Sequence, residues 1–117
     1  LDKNLWINVR ISNAQRKKFK SACLDFYYKK TLSRIDKYQK KHKIKDSEIC
    51  YIGDDLIDLP ILRKVGFSVA VPNAPSEVKK EVSYITDAPG GYGAVREVTE
   101  KILKSQGKWN AIISRYY

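Results

Sequence analysis

Three carboxylates fall within five residues of one another in the stretch Tyr51-Ile52-Gly53-Asp54-Asp55-Leu56-Ile57-Asp58-Leu59-Pro60. Ionised together in a confined site they would repel one another. A hard cation relieves that repulsion, and Mg²⁺ takes one or two carboxylates together with waters and phosphate oxygens. The plainer alternative is a polar turn in which Asp58 caps a helix while Asp54 and Asp55 are solvated. A second place for chemistry is Asp87-Ala88-Pro89-Gly90-Gly91-Tyr92-Gly93, the one glycine-rich loop. Backbone N–H groups at the start of the helix that follows it could hold an anion. Alternatively, its glycines serve a tight turn that needs positive φ.

The elements around the acids place them at an edge. Ile49 to Ile52 is a short apolar run that reads as a buried strand, and Gly53 ends it. Pro60 suits the first turn of a helix, which continues through Ile61-Leu62-Arg63-Lys64-Val65 and stops at Gly66. Asp54, Asp55 and Asp58 therefore follow the carboxyl end of a strand, where open α/β sheets bind ligands.

Upstream, Leu5 to Ile11 reads as a strand ended by Ser12-Asn13, with Ser12 a candidate cap for the next helix. Gln15 to Ala22 then reads as a short basic helix and Leu24 to Tyr28 as a small strand. From Lys30 to Ile44 the positions Leu32, Ile35 and Tyr38 trace one helical face. His42 near that helix's end is a partner for the helix dipole rather than a ligand or base. Downstream, Phe67 to Val71 is a buried strand closed by Pro72-Asn73-Ala74-Pro75. A helix capped by Ser76 runs through Val82, and Tyr84-Ile85-Thr86 is a strand near the sheet edge. Ala94 to Gln106 is a helix ended by Gly107, followed by an apolar tail. The β-α-β-α-β order specifies a parallel sheet with covering helices.

The acid stretch resembles the fourth motif of haloacid-dehalogenase-type phosphatases, and more narrowly that of the 3-deoxy-D-manno-octulosonate 8-phosphate phosphatases and their relatives. The likeness runs on through Lys64-Val65-Gly66-Phe67-Ser68-Val69-Ala70-Val71, Tyr84-Ile85-Thr86, Gly90-Gly91-Tyr92-Gly93-Ala94-Val95-Arg96-Glu97 and Ser105-Gln106-Gly107-Lys108-Trp109. It covers residues 44 to 109 of a single partial domain, 1–117, with residues 108–117 as its tail. It implies a Rossmann-like α/β fold, a parallel sheet with helices on both faces. It also implies Mg²⁺-dependent hydrolysis of a sugar phosphate through an aspartyl-phosphate. Asp54 would then be a direct metal ligand, with Asp55 and Asp58 orienting it and its waters. Ser12 and Lys30 would contact phosphate, and Gly90, Gly91 and Gly93 would line the substrate loop. A gapless count from Tyr51 puts Thr31, next to Lys30, at the family's lysine position. Tyr92 stands where the family carries a basic residue. The resemblance also implies a homotetramer, with the tail reaching a neighbouring subunit.

The family's nucleophile lies in an Asp-x-Asp motif, and no Asp-x-Asp occurs in this sequence. The chain begins with Leu and contains no Met, so a truncated N-terminus is the expectation. The family's first strand would lie between those at Leu5–Ile11 and Ile49–Ile52, and without it these two either pair directly or leave open edges. The rival functional reading is a non-catalytic remnant kept for assembly or binding.

Charge is divided along the chain. Residues 1–46 hold 14 Lys/Arg against 4 Asp/Glu, whereas residues 47–117 hold 9 of each. That basic third raises a third reading, a nucleic-acid-binding module, although a solvated helix face is the simpler account and no zinc-finger or RNA-binding signature accompanies it. No apolar run approaches a membrane span. Cys23 and Cys50 lack metal or redox spacing, which fits reduced thiols and a cytoplasmic location.

Overall fold

A computed structural model describes the backbone of residues 5–7 and 21–28 and the whole of residues 29–117. Among the described residues four strands, β1 (Leu5–Ile7), β2 (Ile49–Gly53), β3 (Phe67–Ala70) and β4 (Tyr84–Ile85), form one sheet in the order β1-β2-β3-β4. Every pair is parallel, with Leu5 opposite Ile49, Cys50 opposite Phe67 and Val69 opposite Tyr84. The helices are α1 (Ser21–His42), α2 (Leu59–Leu62), α3 (Ser76–Lys79), α4 (Ala94–Ser105) and α5 (Trp109–Ile113).

Alternation along the strands separates two cores. Ile49, Tyr51 and Ala70 face a cluster with Ile35 of α1, Ile44, Ile61 and Leu62 of α2, and Val78 of α3. Cys50 and Val69 turn the other way and pack with Val98 of α4. Both faces of the sheet are thus covered, as parallel sheets require. Burial also pushes the Cys50 thiol up to about 12, so it is an inert core residue rather than a nucleophile.

The N-terminal third departs from the sequence reading. Leu24 to Tyr28 is not a strand; it lies within α1, which begins at Ser21 rather than Lys30. No Gly or Pro interrupts residues 21–42, so nothing stops the helix from propagating through the aromatic run. Lys30 consequently sits in the third turn of α1 and not at its start. Helix α1 ends with Lys43 at φ 54°, and the Ile44 N–H donates to Gln39 O at 3.0 Å. Residues 8–20 lie outside the described residues, and with them Ser12, the rest of the expected Leu5–Ile11 strand and the Gln15–Lys20 part of the expected basic helix.

The two strands expected to flank an absent one pair directly, Ile7 lying opposite Tyr51. Buried backbone groups on the β2 edge need partners, and β1 supplies them. Elsewhere the differences are small. Helix α2 starts at Leu59, and α3 ends at Lys79. Ser76 is not the cap of α3: Pro75 holds that position, and the Ser76 hydroxyl donates to Glu77 at 3.1 Å. The tail is ordered as α5, and Lys104 Nζ lies 5.0 Å from the centre of the Trp109 ring.

Gly66 explains the end of the segment after α2. A Cβ there would come within 2.6 Å of the Ser47 backbone, and the Gly66 N–H donates to Asp46 O at 2.7 Å. Backbone cannot yield as a side-chain tip can. Gly66→Ala is therefore expected to destabilise the fold by about 1–3 kcal/mol in urea unfolding. Gly90→Ala, whose Cβ would meet only Val71 at an ordinary 3.7 Å, should stay within about 0.5 kcal/mol.

Candidate functional site

Because all four strands are parallel, the loops after β2 and β4 leave the same edge of the sheet. The acid loop leaves β2 there, and the glycine loop leaves β4. In the acid loop the three carboxylates have different partners. Asp58, only 9% exposed, accepts the Tyr51 hydroxyl on Oδ1 at 2.8 Å. On Oδ2 it accepts the N–H groups of Asp54 and Asp55 at 2.9 and 3.0 Å. Asp55 accepts the Leu56 N–H at 2.7 Å and caps the short 3-10 turn Leu56–Asp58. Asp54 alone presents an exposed side chain at the mouth of the loop.

Asp58 thus does not cap α2 in the expected way, since no side-chain bond links it to that helix's N-terminus. It reaches back over β2 instead. Gly53 makes this possible: a Cβ there would lie 2.8 Å from Asp58 Cβ. Burial pushes the Asp58 carboxyl above its ordinary 3.8, while the N–H groups of Asp54 and Asp55 and the Tyr51 hydroxyl pull it back. Both oxygens act as acceptors, which is the arrangement of a carboxylate and leaves no donor position to satisfy. Burial foremost, and then the Asp58 charge and the bond to it, raise the Tyr51 phenol well above its usual range.

As a cation site the loop offers hard oxygen chemistry with a single exposed carboxylate. Among the described residues no three His, Cys, Asp or Glu side chains gather around one point. That donor set suits an ion that draws most of its shell from water and phosphate oxygens. Asp58 already accepts three bonds, one of them from the Asp54 backbone N–H.

The glycine loop is built by a parallel device that sequence reading missed. Glu97 of α4 accepts the Tyr84 hydroxyl at 2.7 Å and the N–H groups of Asp87 and Ala88 at 2.9 and 2.8 Å. Those bonds, the Ala88 N–H foremost, hold the Glu97 carboxyl below its usual range. In both loops a strand tyrosine and two following N–H groups converge on one later carboxylate. The available signal was a tyrosine in the strand with an acid downstream, Tyr51 with Asp58 and Tyr84 with Glu97. Gly91 and Gly93 adopt φ of 86° and 112°, which satisfies the tight-turn reading. Gly90 has no such requirement. Tyr92 stands fully out in solvent at 84% exposure, and Lys30 is exposed on α1.

Since Asp58 titrates higher when folded than when unfolded, the folded chain binds more protons between 3.8 and that raised value. Its contribution to stability therefore falls as pH rises across this window and is level above it. Asp58→Asn should remove that slope, seen as a wild-type minus variant difference in melts from acid to neutral pH. The variant should also be destabilised at neutral pH by about 1–3 kcal/mol, because its amide NH₂ cannot accept the bonds Asp58 accepts.

A family model described as haloacid dehalogenase-like hydrolase matches residues 12–97. The 3-deoxy-D-manno-octulosonate 8-phosphate phosphatase of Salmonella typhi is 46% identical over 69 residues, which is 59% of this chain and 37% of that protein. Its counterpart from Yersinia pestis is 49% identical over 61 residues, 52% of this chain and 33% of its own. The matched segments thus span only about a third of these relatives' length. Among solved structures, the phosphatase of that name from Moraxella catarrhalis, in complex with magnesium ion, phosphate ion and a KDO molecule, is 37% identical. It superposes with a TM-score of 0.70 over 84% of this chain and 63% of its own. A hydrolase of the same superfamily from Legionella pneumophila gives 42% identity and a TM-score of 0.68 over 72% of this chain. With its parallel sheet, covering helices and motif-bearing loops accounted for, the chain belongs to the haloacid dehalogenase-like hydrolases.

Proposed function

We propose that the chain forms part of a Mg²⁺-dependent phosphatase acting on a sugar phosphate, 3-deoxy-D-manno-octulosonate 8-phosphate or a related nonulosonate phosphate. The observation that carries this reading is the acid loop: Asp54 is presented at the carboxyl end of β2 by a buried, fully engaged Asp58. Support comes from the magnesium, phosphate and KDO molecule in the 37% identical Moraxella catarrhalis structure.

In this proposal Asp54 is the direct metal ligand. Asp58 fixes the Asp54 backbone through the N–H bond, and Asp55 rigidifies the turn by accepting the Leu56 N–H. A divalent cation held there by Asp54 would supply positive charge to offset that of the phosphoryl group. Ser12 and Lys30 contact the phosphate, and the loop of Gly90, Gly91 and Gly93, pinned by Glu97, borders the sugar. Residues 1–117 act as part of one such domain in a cytoplasmic homotetramer. No Asp-x-Asp occurs in the sequence, so the nucleophile has to come from outside these residues.

Two outcomes are expected of the chain itself. Mg²⁺ should bind weakly in calorimetric titration, and Asp54→Ala should abolish the signal; equal binding in both would remove Asp54 from the site. p-Nitrophenyl phosphate should not be hydrolysed above background, because no residue can form the aspartyl-phosphate. The decisive test fuses the chain behind a strand carrying the family's Asp-x-Asp. Mg²⁺-dependent release of phosphate from the octulosonate phosphate, lost on Asp54→Asn, is the expected result. A folded fusion inert toward all nonulosonate phosphates would favour the rival, a non-catalytic assembly module.

A further inference from the structure

The structure sorts the charge of the N-terminal third in a way the sequence cannot. Residues 29–45 carry eight Lys/Arg against one acid. Helix α1 buries Ile35 and packs Leu32 and Tyr38 inward. Its one described carboxylate, Asp36, is turned to its flank and paired with Lys64. What remains outward is a stripe at i, i+4, i+7 and i+11: Lys30, Arg34, Lys37 and Lys41, all exposed. Among the described residues Arg34, Lys37 and Lys41 make no ion pair. Favourable interaction with the helix dipole reaches only the last turn, which carries Lys40, Lys41 and His42. Arg34 and Lys37 lie above it and repel their neighbours.

We infer that this stripe of α1 is a binding face for the phosphate backbone of a nucleic acid. The inference rests on Arg34, Lys37 and Lys41, which the phosphatase proposal does not use; Lys30, which that proposal assigns to phosphate, is left unaltered below. The composition of the face selects the partner. Its exposed positions from Lys29 to Lys45 are Lys, Arg, Ser and His, with no aliphatic side chain and no Phe, Tyr or Trp. A membrane-surface helix needs apolar residues to enter the acyl boundary. A specific acidic protein needs apolar or aromatic anchors at the interface centre. A polyphosphate backbone needs neither, since released counterions supply the binding free energy. At 1.5 Å per residue, Lys30 to Lys41 spans about 17 Å, close to five base-pair steps of roughly 3.4 Å.

Fluorescence anisotropy with duplex DNA and with single-stranded RNA tests this, using the wild type, Arg34→Gln/Lys37→Gln/Lys41→Gln, and a control triple Lys80→Gln/Arg96→Gln/Arg115→Gln. Both triples remove the same charge, and Gln is a good helix former. For about three neutralised phosphates, wild-type affinity for the duplex should fall roughly fortyfold between about 50 and 200 mM salt. The α1 triple should lose most low-salt binding and reduce the magnitude of the log–log slope by about 2.7, with unchanged circular dichroism, while the control binds like the wild type. Binding to DNA, RNA or both with that pattern supports the face. No binding to either at low salt overturns it. So does equal loss in the two triples, which would assign the effect to net charge, or preferential binding to vesicles of anionic lipid.

Discussion

The acid loop depends on one buried carboxylate. Asp58 gathers a strand hydroxyl and two consecutive N–H groups, and all three donors would otherwise need other partners in a crowded turn. A buried polar group left without a partner costs about 1–3 kcal/mol, so the arrangement holds as a unit. Its consequence is chemical as well as structural. Asp58 accepts three bonds and Asp55 is engaged in its own turn, while Asp54 is the exposed acid of the loop.

Repetition of the device at Glu97 shows what the fold demands of its loops. A parallel sheet delivers strands β2 and β4 to the same edge, and each chain must then turn without the ladder bonds that held the strand. A carboxylate supplied from further along, by the 3-10 turn in one case and by α4 in the other, replaces those bonds. The two carboxyl groups respond oppositely because their surroundings differ. Asp58 is buried and rises, whereas Glu97 is only partly covered and its bonds lower it. The loops are thus fixed by interactions that lie behind them, which leaves their outer surfaces available for a ligand.

Most of the downstream fold was legible because its signals are local. Ile49 to Ile52 and Phe67 to Val71 are short apolar runs bounded by turn formers, and the structure places strands on both. Gly93 and Gly107 have positive φ at the turns expected of them. The region before Lys30 was misread where Leu24 to Tyr28 has strand-forming side chains but no breaker; continuity of α1 overrode local preference. Direct pairing of β1 with β2 was only one of two arrangements the sequence allowed, since strand order is a property of the whole sheet. In the site, the three acids were visible but not their division of labour. That division rests on which oxygen meets which N–H, and no spacing of letters records it. Asp58 reads in sequence as a helix cap, yet in the structure it bonds backward to Tyr51, Asp54 and Asp55. Glu97 was missed because its partners lie nine to thirteen residues away.

If Asp58 organises the loop that presents Asp54, the N–H groups of Asp54 and Asp55 must be held in solution. Amide hydrogen exchange measures this directly, comparing the wild type with Asp58→Asn at neutral pH. Both amides should be strongly protected in the wild type. In the variant they should exchange at least tenfold faster, while those of Val69 and Ala70 in β3 stay protected. Unprotected Asp54 and Asp55 amides in the wild type, or protection unchanged by Asp58→Asn, would contradict the account.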